Sequence, residues 1–401
     1  MKSDEIRGLL IITSEAFPYG MAGSNRIISL SKGFMANNLD VQVLSIYKYG
    51  KPEARIKFPT EGAYEGVKYI NLLSSARSNR YGILRVLRRN LLSILVFHYC
   101  VWKLKRGTLV LYYSPWVMPA IVIKVVTFIK GIVLIKEETE HPLIRLKNKS
   151  KLYKYFYLKY YYTIFDGLFV ITHRLYQFFR EEINYKKILL IVPMIVDIDS
   201  FHSDNNRDNK SIVFSGELDV QKEGLDLLFG AFARILEKFP DFKLDLYGKP
   251  VDSNQECHIK KMISELGIAG SVNLHGYKTR NELIELLFQA HILIFTRPPS
   301  LQATFGFSTK LGEYLATGKP VVTTSVGEIE RYLTDRFNAF VCEPKANSIA
   351  DKIFEVINDY NFALTVGSRG RMCALECFNN KIETRKIIDQ VQAAFPKNDH
   401  P

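Results

Sequence analysis

The amino-acid sequence predicts an α/β protein of two domains, each built from a parallel β-sheet and covering helices. Its 401 residues exceed what one typical hydrophobic core holds. Short apolar runs rich in β-branched residues alternate with amphipathic segments. Several of these runs end in a glycine-containing loop before the next helix, which is the order of a βαβ unit.

The first βαβ unit is expected near the beginning of the chain. A strand at 8–14 leads through the loop at 18–26 into an apolar-periodic helix at 27–37 and a strand at 41–46. Gly20 and Gly23 let the backbone approach a ligand at the start of that helix, although the same spacing is also typical of a plain turn. The pattern predicts further strands at 109–113, 131–136, 168–172 and 188–192.

Positive charge is concentrated in the first half of the chain. Residues 1–200 hold 30 basic and 15 acidic residues, whereas residues 201–401 hold 24 and 26. No acidic residue lies between Glu65 and Glu137, a window with twelve basic residues. This asymmetry indicates an anionic surface or substrate facing the first half.

Residues 82–106 combine apolar and aromatic residues with six basic ones. The charge-free stretch from 91 to 102 is too short to span a bilayer, but such a segment can lie among the headgroups of an anionic leaflet. A core helix whose arginines reach out to water is the alternative. The residues predicted to face the membrane are Arg85, Arg88, Arg89, Lys103, Lys105 and Arg106.

Two further segments of the first half contain residues that could bind a ligand. The strand at 131–136 is followed by Glu137, Glu138, Glu140 and His141, at the sheet edge where ligands bind in such folds. An exposed loop with a helix-capping acid explains these residues equally well. Residues 151–162 alternate basic and aromatic side chains, which fits nucleic-acid binding or, preferably, a helix with one aromatic face in the core.

The second half repeats the α/β plan. Strands are expected at 211–215, 243–247, 272–275, 292–296 and 321–323, with helices at 226–239, 280–290 and 381–395. Arg297 follows one of these strands, so it faces either a phosphate or a surface salt bridge. The five cysteines are scattered, and with no secretory segment this predicts a reducing cytoplasm.

The stretch at 306–324 is the most informative part of the sequence. Ser308 is a suitable N-cap, and Gly318 followed by Lys319 and Pro320 ends the helix. Lys310, Glu313, Tyr314 and Thr317 recur at helical spacing and therefore share one face. The helix start suits a phosphate, and Glu313, one turn later, suits a ribose diol. An ordinary helix with solvated Lys310 and Glu313 is the alternative.

Residues 306–327 resemble the donor-binding segment of the family 4 glycosyltransferases. The resemblance rests on Gly-Phe-Ser-Thr-Lys-Leu-Gly-Glu-Tyr-Leu, on the Gly-Lys-Pro-Val-Val strand and on the turn at Gly327. It implies a GT-B fold, with two Rossmann-like domains facing across a cleft, and transfer with retention of configuration. The expected domains are 1–202, 203–375 and a helix at 376–401 that returns to the first domain.

The same resemblance implies roles for single residues, with some departures. Glu313 falls on the second of the family's two glutamates, which binds the donor ribose, but the first position holds Phe305. Where relatives carry an arginine and a lysine that clamp the diphosphate, this chain has Glu217 and Glu223, whose side chains are expected to point elsewhere. Lys222 then takes the charge role. His141, or Glu138 or Glu140 in its place, contacts the transferred sugar.

The resulting site predictions are as follows. The predicted donor-binding residues are Gly20, Gly23, Gly216, Lys222, Gly248, Tyr277, Arg297, Gly306, Phe307, Ser308, Thr309, Lys310 and Glu313. The predicted catalytic residues are His141, Glu140 and Lys310. No metal site is predicted, since there is no DxD motif and no His/Cys cluster at ligand spacing.

The predicted function is a retaining, metal-independent hexosyltransferase of cell-surface polysaccharide synthesis, without a cofactor. It would move a sugar from a nucleotide-sugar, such as a UDP- or GDP-sugar, to a lipid-linked or glycan acceptor. It would lie on the inner face of the plasma membrane as a peripheral protein and bind no nucleic acid. The alternatives are a catalytically silent GT-B protein, favoured by Phe305, Glu217 and Glu223, and a nucleic-acid-binding protein.

Overall fold

The computed structural model describes residues 6–18, 20, 22–46, 59–72, 82–203 and 209–395, with the backbone alone for 82–90. The chain forms two compact units. The first comprises residues 1–195 and 380–401, and the second comprises residues 196–379. The sequence predicts the borders after residues 202 and 375.

The first unit is built on an eight-stranded sheet with the order β3-β4-β2-β1-β5-β6-β7-β8. All neighbouring strands are parallel except β3 and β4, which form an antiparallel edge. The strands are β1 (Gly8–Thr13), β2 (Asp40–Ser45), β3 (Glu61–Tyr64), β4 (Val67–Asn71), β5 (Thr108–Tyr113), β6 (Leu134–Glu138), β7 (Gly167–Val170) and β8 (Ile188–Ile191).

The helices of the first unit cover both faces of this sheet. They are α1 (Ala22–Ala36), α2 (Gly82–Lys103), α3 (Val117–Lys130), α4 (Pro142–Arg145), α5 (Lys151–Phe156) and α6 (His173–Gln177). Two π-helical turns, Tyr157–Tyr161 and Phe178–Glu182, continue α5 and α6, and a 3₁₀ turn follows at Tyr162–Ile164. Residues from α1 and from the C-terminal segment share one buried core with β1, β2 and β5.

The second unit is built on a six-stranded, wholly parallel sheet with the order β11-β10-β9-β12-β13-β14. Its strands are β9 (Ser211–Ser215), β10 (Lys243–Tyr247), β11 (Val272–Gly276), β12 (Ile292–Phe295), β13 (Val321–Thr324) and β14 (Phe340–Cys342). Because the strands at its centre are buried on both faces, they appear in the sequence as continuous apolar runs.

The helices of the second unit alternate with these strands. They are α7 (Val220–Glu223), α8 (Leu225–Lys238), α9 (Ser253–Glu265), α10 (Arg280–Phe288), α11 (Leu301–Phe305), α12 (Thr309–Thr317), α13 (Ile329–Tyr332), α14 (Ala346–Asn358) and α15 (Tyr360–Cys377). The last helix, α16 (Asn380–Ala394), belongs to the first unit and packs on α1. The predicted α/β class is confirmed in both units.

Local differences from the prediction have simple causes. Helix α1 begins at Ala22 rather than near residue 27, so Gly23 lies in its first turn instead of in a loop. Strand β6 extends to Glu138, and therefore Glu137 and Glu138 lie within a buried strand instead of after it. The charged residues conceal this strand end in the sequence, because isolated charges are almost never fully buried.

The aromatic segment at 151–162 is buried only in part. Tyr157, Tyr161 and Tyr162 lie in the interior, whereas Tyr153 and Tyr155 are exposed. The expectation that its aromatic face lies in the core is therefore right for the π-helical part and wrong for α5. Among the described residues, no helix is both long and apolar enough to cross a membrane.

Candidate functional site

Two glycines bring the loop after β9 close to the loop after β10. Gly216 and Gly248 both have positive φ angles, +136° and +153°. A Cβ atom at Gly248 would lie 1.7 Å from the carbonyl oxygen of Gly216, and one at Gly216 would lie 2.3 Å from Nζ of Lys310. Only glycine therefore fits either position, and the side chain of Lys310 lies directly against the Gly216 backbone.

Helix α12 supplies Lys310 and Tyr314 on one face, as its sequence spacing predicts. The hydroxyl of the fully buried Tyr314 accepts a hydrogen bond of 2.7 Å from the backbone N–H of Ser215, the last residue of β9. Nζ of Lys310, one turn earlier, lies 4.7 Å from the centre of the Phe214 ring. Helix α12 is thus fixed to the end of β9 by two of its side chains.

A buried carboxylate holds the two candidate phosphate-binding cations. Oε2 of Glu223 lies 3.0 Å from Nζ of Lys310, and Oε1 accepts a hydrogen bond of 3.1 Å from Nη2 of Arg297. The Glu223 side chain is 1% exposed, and the two cations are also mostly buried. The expectation that Glu223 points away from this place is therefore wrong.

The pKa values at this cluster follow from burial and charge. Burial by itself would raise the pKa of Glu223, but Lys310 and Arg297 lower it to about 2 through their charges and hydrogen bonds. Burial lowers the pKa of Lys310 to about 8, although Glu223 opposes that shift. At neutral pH the cluster thus contains one anion and two cations, an excess of one positive charge.

The local sequence explains why Glu223 occupies this position. Asp219 caps α7 by accepting a hydrogen bond of 2.9 Å from the Lys222 N–H. Gly224 then turns the chain with a φ of +67°, and a Cβ there would lie 2.2 Å from the carbonyl oxygen of Thr296. The Thr296 hydroxyl donates to the carbonyl of Glu223 at 3.0 Å. These contacts hold Glu223 beside Arg297, the residue after Thr296.

Lys222 and Glu217 form a separate and more exposed pair. Nζ of Lys222 lies 3.5 Å from Oε2 of Glu217, and about a third of each side chain is exposed. The structure thus places Lys222 with Glu217 and places Glu223 with the other two cations. The diphosphate role of Lys222 stays a prediction.

The start of α12 has the predicted position but not the predicted cap. Ser308 has an N-cap backbone conformation, yet its side chain makes no capping hydrogen bond. Gly306 ends α11, and the Phe307 ring is buried against Tyr332, with ring centres 5.3 Å apart. Thr309 opens α12, where the first N–H groups have no partner within the helix.

Glu313 is held by an arginine that the sequence analysis did not assign. Its Oε1 accepts a hydrogen bond of 2.9 Å from Nη1 of Arg280, at the beginning of α10. Both side chains are mostly buried. Because an ionised carboxylate accepts several hydrogen bonds, this ion pair orients Glu313 and leaves capacity for a ribose. The carbonyl of Gly276 accepts a hydrogen bond from the Gly248 N–H. The next residue, Tyr277, has a side chain that is 63% exposed.

In the first unit, the predicted glycines allow close packing, Gly23 against Glu15 and Gly20 against Ser24 and Ala16. A Cβ at Gly23 would lie 2.8 Å from Cδ of Glu15, and one at Gly20 would lie 2.0 Å from Oγ of Ser24. The Ser24 hydroxyl donates to the carbonyl of Ala16 at 3.1 Å. Burial raises the pKa of Glu15, and the charge of Glu140 raises it further. Glu15 and Glu140 are thus electrostatically coupled.

The end of β6 contains buried ion pairs that sequence patterns did not reveal. Arg26 of α1 donates from Nε to Oε1 of Glu137 at 2.6 Å and from its two terminal nitrogens to the carbonyls of Pro193 and Val192. Glu138, on the other face of the strand, is fully buried. It is paired with Arg145, Lys136 and the Tyr162 hydroxyl. Glu138 is thus a structural carboxylate.

His141 caps α4 and lies beside this network. Its Nδ1 accepts a hydrogen bond of 3.2 Å from the Leu143 N–H, and its ring centre lies 4.3 Å from that of Phe178. Burial lowers the pKa of His141, which favours the neutral imidazole at physiological pH. Glu140, the preceding residue, is partly exposed.

The predicted membrane-facing residues fall into two groups. Lys103, Lys105 and Arg106 are exposed at the C-terminal end of α2 and just beyond it. The side chains of Arg85, Arg88 and Arg89 lie outside the described residues. In the described parts of the chain, no three His, Cys, Asp or Glu side chains are grouped as metal ligands would be.

The second unit is similar to a known family of glycosyl transferases. Residues 196–372 match the family described as glycosyl transferases group 1. The chain is 30% identical over 156 residues to the uncharacterized glycosyltransferase MJ1607 of Methanocaldococcus jannaschii, covering 39% of this chain and 37% of that protein. It is 26% identical over 217 residues to one of the subunits of the human phosphatidylinositol N-acetylglucosaminyltransferase, covering 53% and 41%. The chain therefore spans about two fifths of the length of these curated relatives.

Solved structures resemble the chain over nearly its whole length. Sucrose-phosphate synthase from Thermosynechococcus elongatus has a TM-score of 0.74 at 16% identity, covering 97% of this chain and 99% of that one. HepE from Anabaena, in complex with UDP and glucose, has a TM-score of 0.70 at 14% identity, covering 96% and 100%. These likenesses confirm the predicted GT-B fold.

Proposed function

Since residues 196–372 belong to the group 1 glycosyl transferases, we propose that the protein transfers a hexosyl group from a nucleotide-sugar with retention of configuration. The acceptor is a lipid-linked or glycan molecule. The second unit binds the donor, and the first unit binds the acceptor.

The observation that carries this proposal is the cation pair at the start of α12. Lys310 and Arg297 both converge on Glu223, and Lys310 lies against the Gly216 loop. The first N–H groups of α12 add a positive dipole end at the same place. Two cations and a helix N-terminus provide what a leaving diphosphate needs, because negative charge develops on it as the glycosidic bond breaks.

The nucleoside is proposed to lie next to this diphosphate position. Glu313, one turn into α12 and oriented by Arg280, accepts hydrogen bonds from the ribose hydroxyls. Gly248 and the exposed Tyr277 lie at the ends of the adjoining strands β10 and β11, where a base can stack.

Catalysis then depends on position and charge. The transition state has oxocarbenium character, and Lys310 and Arg297, aided by Lys222, stabilise the departing diphosphate. His141 keeps the role implied by the family resemblance, contact with the transferred sugar, and Glu140 is the alternative residue for it. Phe305 has no carboxylate, so the proposed mechanism gives that position no charge.

The name of the human relative supports a lipid acceptor, because that protein belongs by name to a phosphatidylinositol N-acetylglucosaminyltransferase. We place this chain at the inner face of the plasma membrane as a peripheral protein of polysaccharide synthesis. Lys103, Lys105 and Arg106, together with Arg85, Arg88 and Arg89, provide the cations for anionic headgroups.

The binding test uses nucleotide-sugars as ligands in thermal-shift and calorimetric titrations. HepE was solved with UDP-glucose, so UDP-sugars come first, followed by GDP- and ADP-sugars. We expect one nucleotide to stabilise the protein selectively and Lys310→Ala to lose that stabilisation. Lys345→Ala, an exposed lysine paired with Glu343 far along the chain, is the matched control. If the nucleotide stabilised Lys310→Ala as much as Lys345→Ala, the proposed phosphate site would be excluded.

A catalytically silent sugar-binding protein is the second candidate. Glu223 already neutralises part of the charge of Lys310 and Arg297, and Phe305 replaces a carboxylate. Turnover assays with radiolabelled donors and lipid-linked or glycan acceptors separate the two candidates. Binding without transfer or hydrolysis of any donor would favour the silent protein.

A further inference from the structure

Helix α3 carries an outer face without a single polar side chain. Its exposed residues are all large and apolar, namely Met118, Ile121, Val125, Phe128 and Ile129. Phe128 and Ile129 are 76% and 75% exposed. Exposed apolar residues are common singly, but a continuous helical stripe of them marks an interaction surface.

Helix α2 continues this surface. Among its described side chains, Leu91, Ile94, Leu95 and His98 are exposed at the same helical phase as Trp102, which is 73% exposed. Helices α2 and α3 pack side by side. Right-handed crossovers place both on the sheet face opposite α1, so their outer stripes point away from the sheet together. We call these stripes the two-helix face.

The lysines of α3 are bound to neighbouring elements and are only partly exposed. Nζ of Lys130 donates to the carbonyls of Val101 and Leu104 at 2.5 and 2.7 Å, which fixes the C-terminal ends of the two helices to each other. Nζ of Lys124 lies 2.5 Å from Oδ1 of Asp166, at the base of the sheet. The apolar stripes are therefore held in one fixed arrangement.

The surroundings of the two-helix face are positively charged. Lys103, Lys105 and Arg106 are exposed directly after Trp102. No acidic residue occurs in the sequence between Glu65 and Glu137, which includes both helices. An apolar centre with an aromatic and basic rim complements the acyl boundary and headgroups of an anionic leaflet.

We propose that the two-helix face inserts into the headgroup–acyl boundary of a bilayer rich in anionic phospholipid. Phe128, Ile129 and Trp102 enter the apolar layer, while Lys103, Lys105 and Arg106 contact lipid phosphates. This surface adds α3 to the membrane-facing residues predicted from sequence. Membrane insertion would bring the chain to a lipid-linked acceptor, and this reason for the insertion is the only part that rests on the proposed function.

The test is flotation of the full chain with vesicles of phosphatidylglycerol or of phosphatidylcholine. We expect binding to phosphatidylglycerol vesicles and a loss of about tenfold or more in the Phe128→Ser/Ile129→Ser variant, because two large side chains no longer enter the apolar layer. Phe337→Ser/Leu274→Ser, which removes exposed apolar residues of the second unit, should bind as the unchanged protein does. Lys103→Glu/Lys105→Glu/Arg106→Glu should remove the preference for phosphatidylglycerol.

Three outcomes would overturn the proposal. The first is no binding to phosphatidylglycerol vesicles, and the second is unchanged binding by Phe128→Ser/Ile129→Ser. The third is a dimer in light scattering that this variant dissociates, because the face would then be covered by a second copy of the chain. The affinity of each of these variants for UDP should equal that of the unchanged protein. This measurement tests the proposed function separately from membrane binding.

Discussion

The ammonium group of Lys310 lies 3.0 Å from the carboxylate of Glu223, in a place where the carboxylate is almost completely buried. Arg297 contacts the same carboxylate. A bound diphosphate would therefore meet two cations that already have an anionic partner. Glu223 both positions the cations and competes with the ligand for them.

Glu223→Gln separates these two effects. Loss of the buried negative charge leaves Lys310 and Arg297 facing each other, so the free energy of unfolding should fall by about 3 kcal/mol. Affinity for UDP should rise several-fold, because the freed cations bind phosphate without competition. Urea denaturation and calorimetry measure the two quantities. Glu343→Gln, at the exposed pair with Lys345, should change neither.

Affinity for UDP should decrease above about pH 8. The pKa of Lys310 is lowered to about 8 by burial, so its ammonium loses a proton above that pH. The diphosphate is fully ionised there and does not change. The charged form binds the anion, and hence the dissociation constant should rise between pH 8 and 10. Lys310→Arg, which stays charged, should remove this dependence; a pH-independent affinity in the unchanged protein would count against Lys310 as a phosphate ligand.

Gly248→Ala should damage both stability and nucleotide binding. The added Cβ would lie 1.7 Å from the carbonyl oxygen of Gly216, in a backbone conformation that side chains rarely adopt. Either the β9 loop or the β10 loop must move, which displaces the contact of Gly216 with Lys310. Thermal denaturation and UDP titration measure the result. Gly270→Ala, where no atom lies within 4 Å of the new Cβ, is the matched control.

Glu313→Gln should weaken binding of UDP much more than binding of its 2′,3′-dideoxy analogue. The carboxylate is proposed to accept bonds from the ribose hydroxyls, which the analogue lacks. A charged hydrogen-bond partner contributes about 1.5–3 kcal/mol, equivalent to roughly ten- to hundredfold in affinity. Calorimetry on both ligands gives the difference. Equal losses for the two ligands would place the ribose elsewhere.

Arg26→Met should lower the free energy of unfolding by about 3–5 kcal/mol, because it leaves the carboxylate of Glu137 buried without its cation. The double variant with Glu137→Gln should recover part of this loss. Urea denaturation of the single and double variants measures the coupling. Lys68→Ala removes the exposed ion pair with Asp40 and should cost less than about 0.5 kcal/mol.

The sequence was sufficient for most of the described strands and for the face of α12, because both depend on local periodicity. It did not predict β3, β4 and β14, which are short strands at or next to the sheet edges. Buried parallel strands leave apolar runs, and Lys310 and Tyr314 lie one helical turn apart whatever surrounds them. The predicted N-cap position of Ser308 followed from the same local rules.

The partners of charged residues could not be predicted from local patterns. Glu223 and Arg297 are 74 residues apart in the sequence and meet only because β9 and β12 are neighbours in the sheet. The ion pair of Glu137 with Arg26 depends in the same way on the fold bringing the first turns of α1 to the end of β6. A carboxylate that has such a partner can be buried in a strand. When the partner cannot be identified from the sequence, the same glutamate is interpreted as part of an exposed loop.

Helix α16 completes the core of the first unit with Ile387, Ile388 and Val391, and Asn380 donates to the carbonyl of Ser29 in α1. During translation, α1 is made long before these residues leave the ribosome. The first unit must therefore wait, with one side of α1 uncovered, until the entire second unit has been synthesised. Chains that end at residue 379 and have been released from the ribosome should accordingly contain a folded second unit beside an unfinished first one.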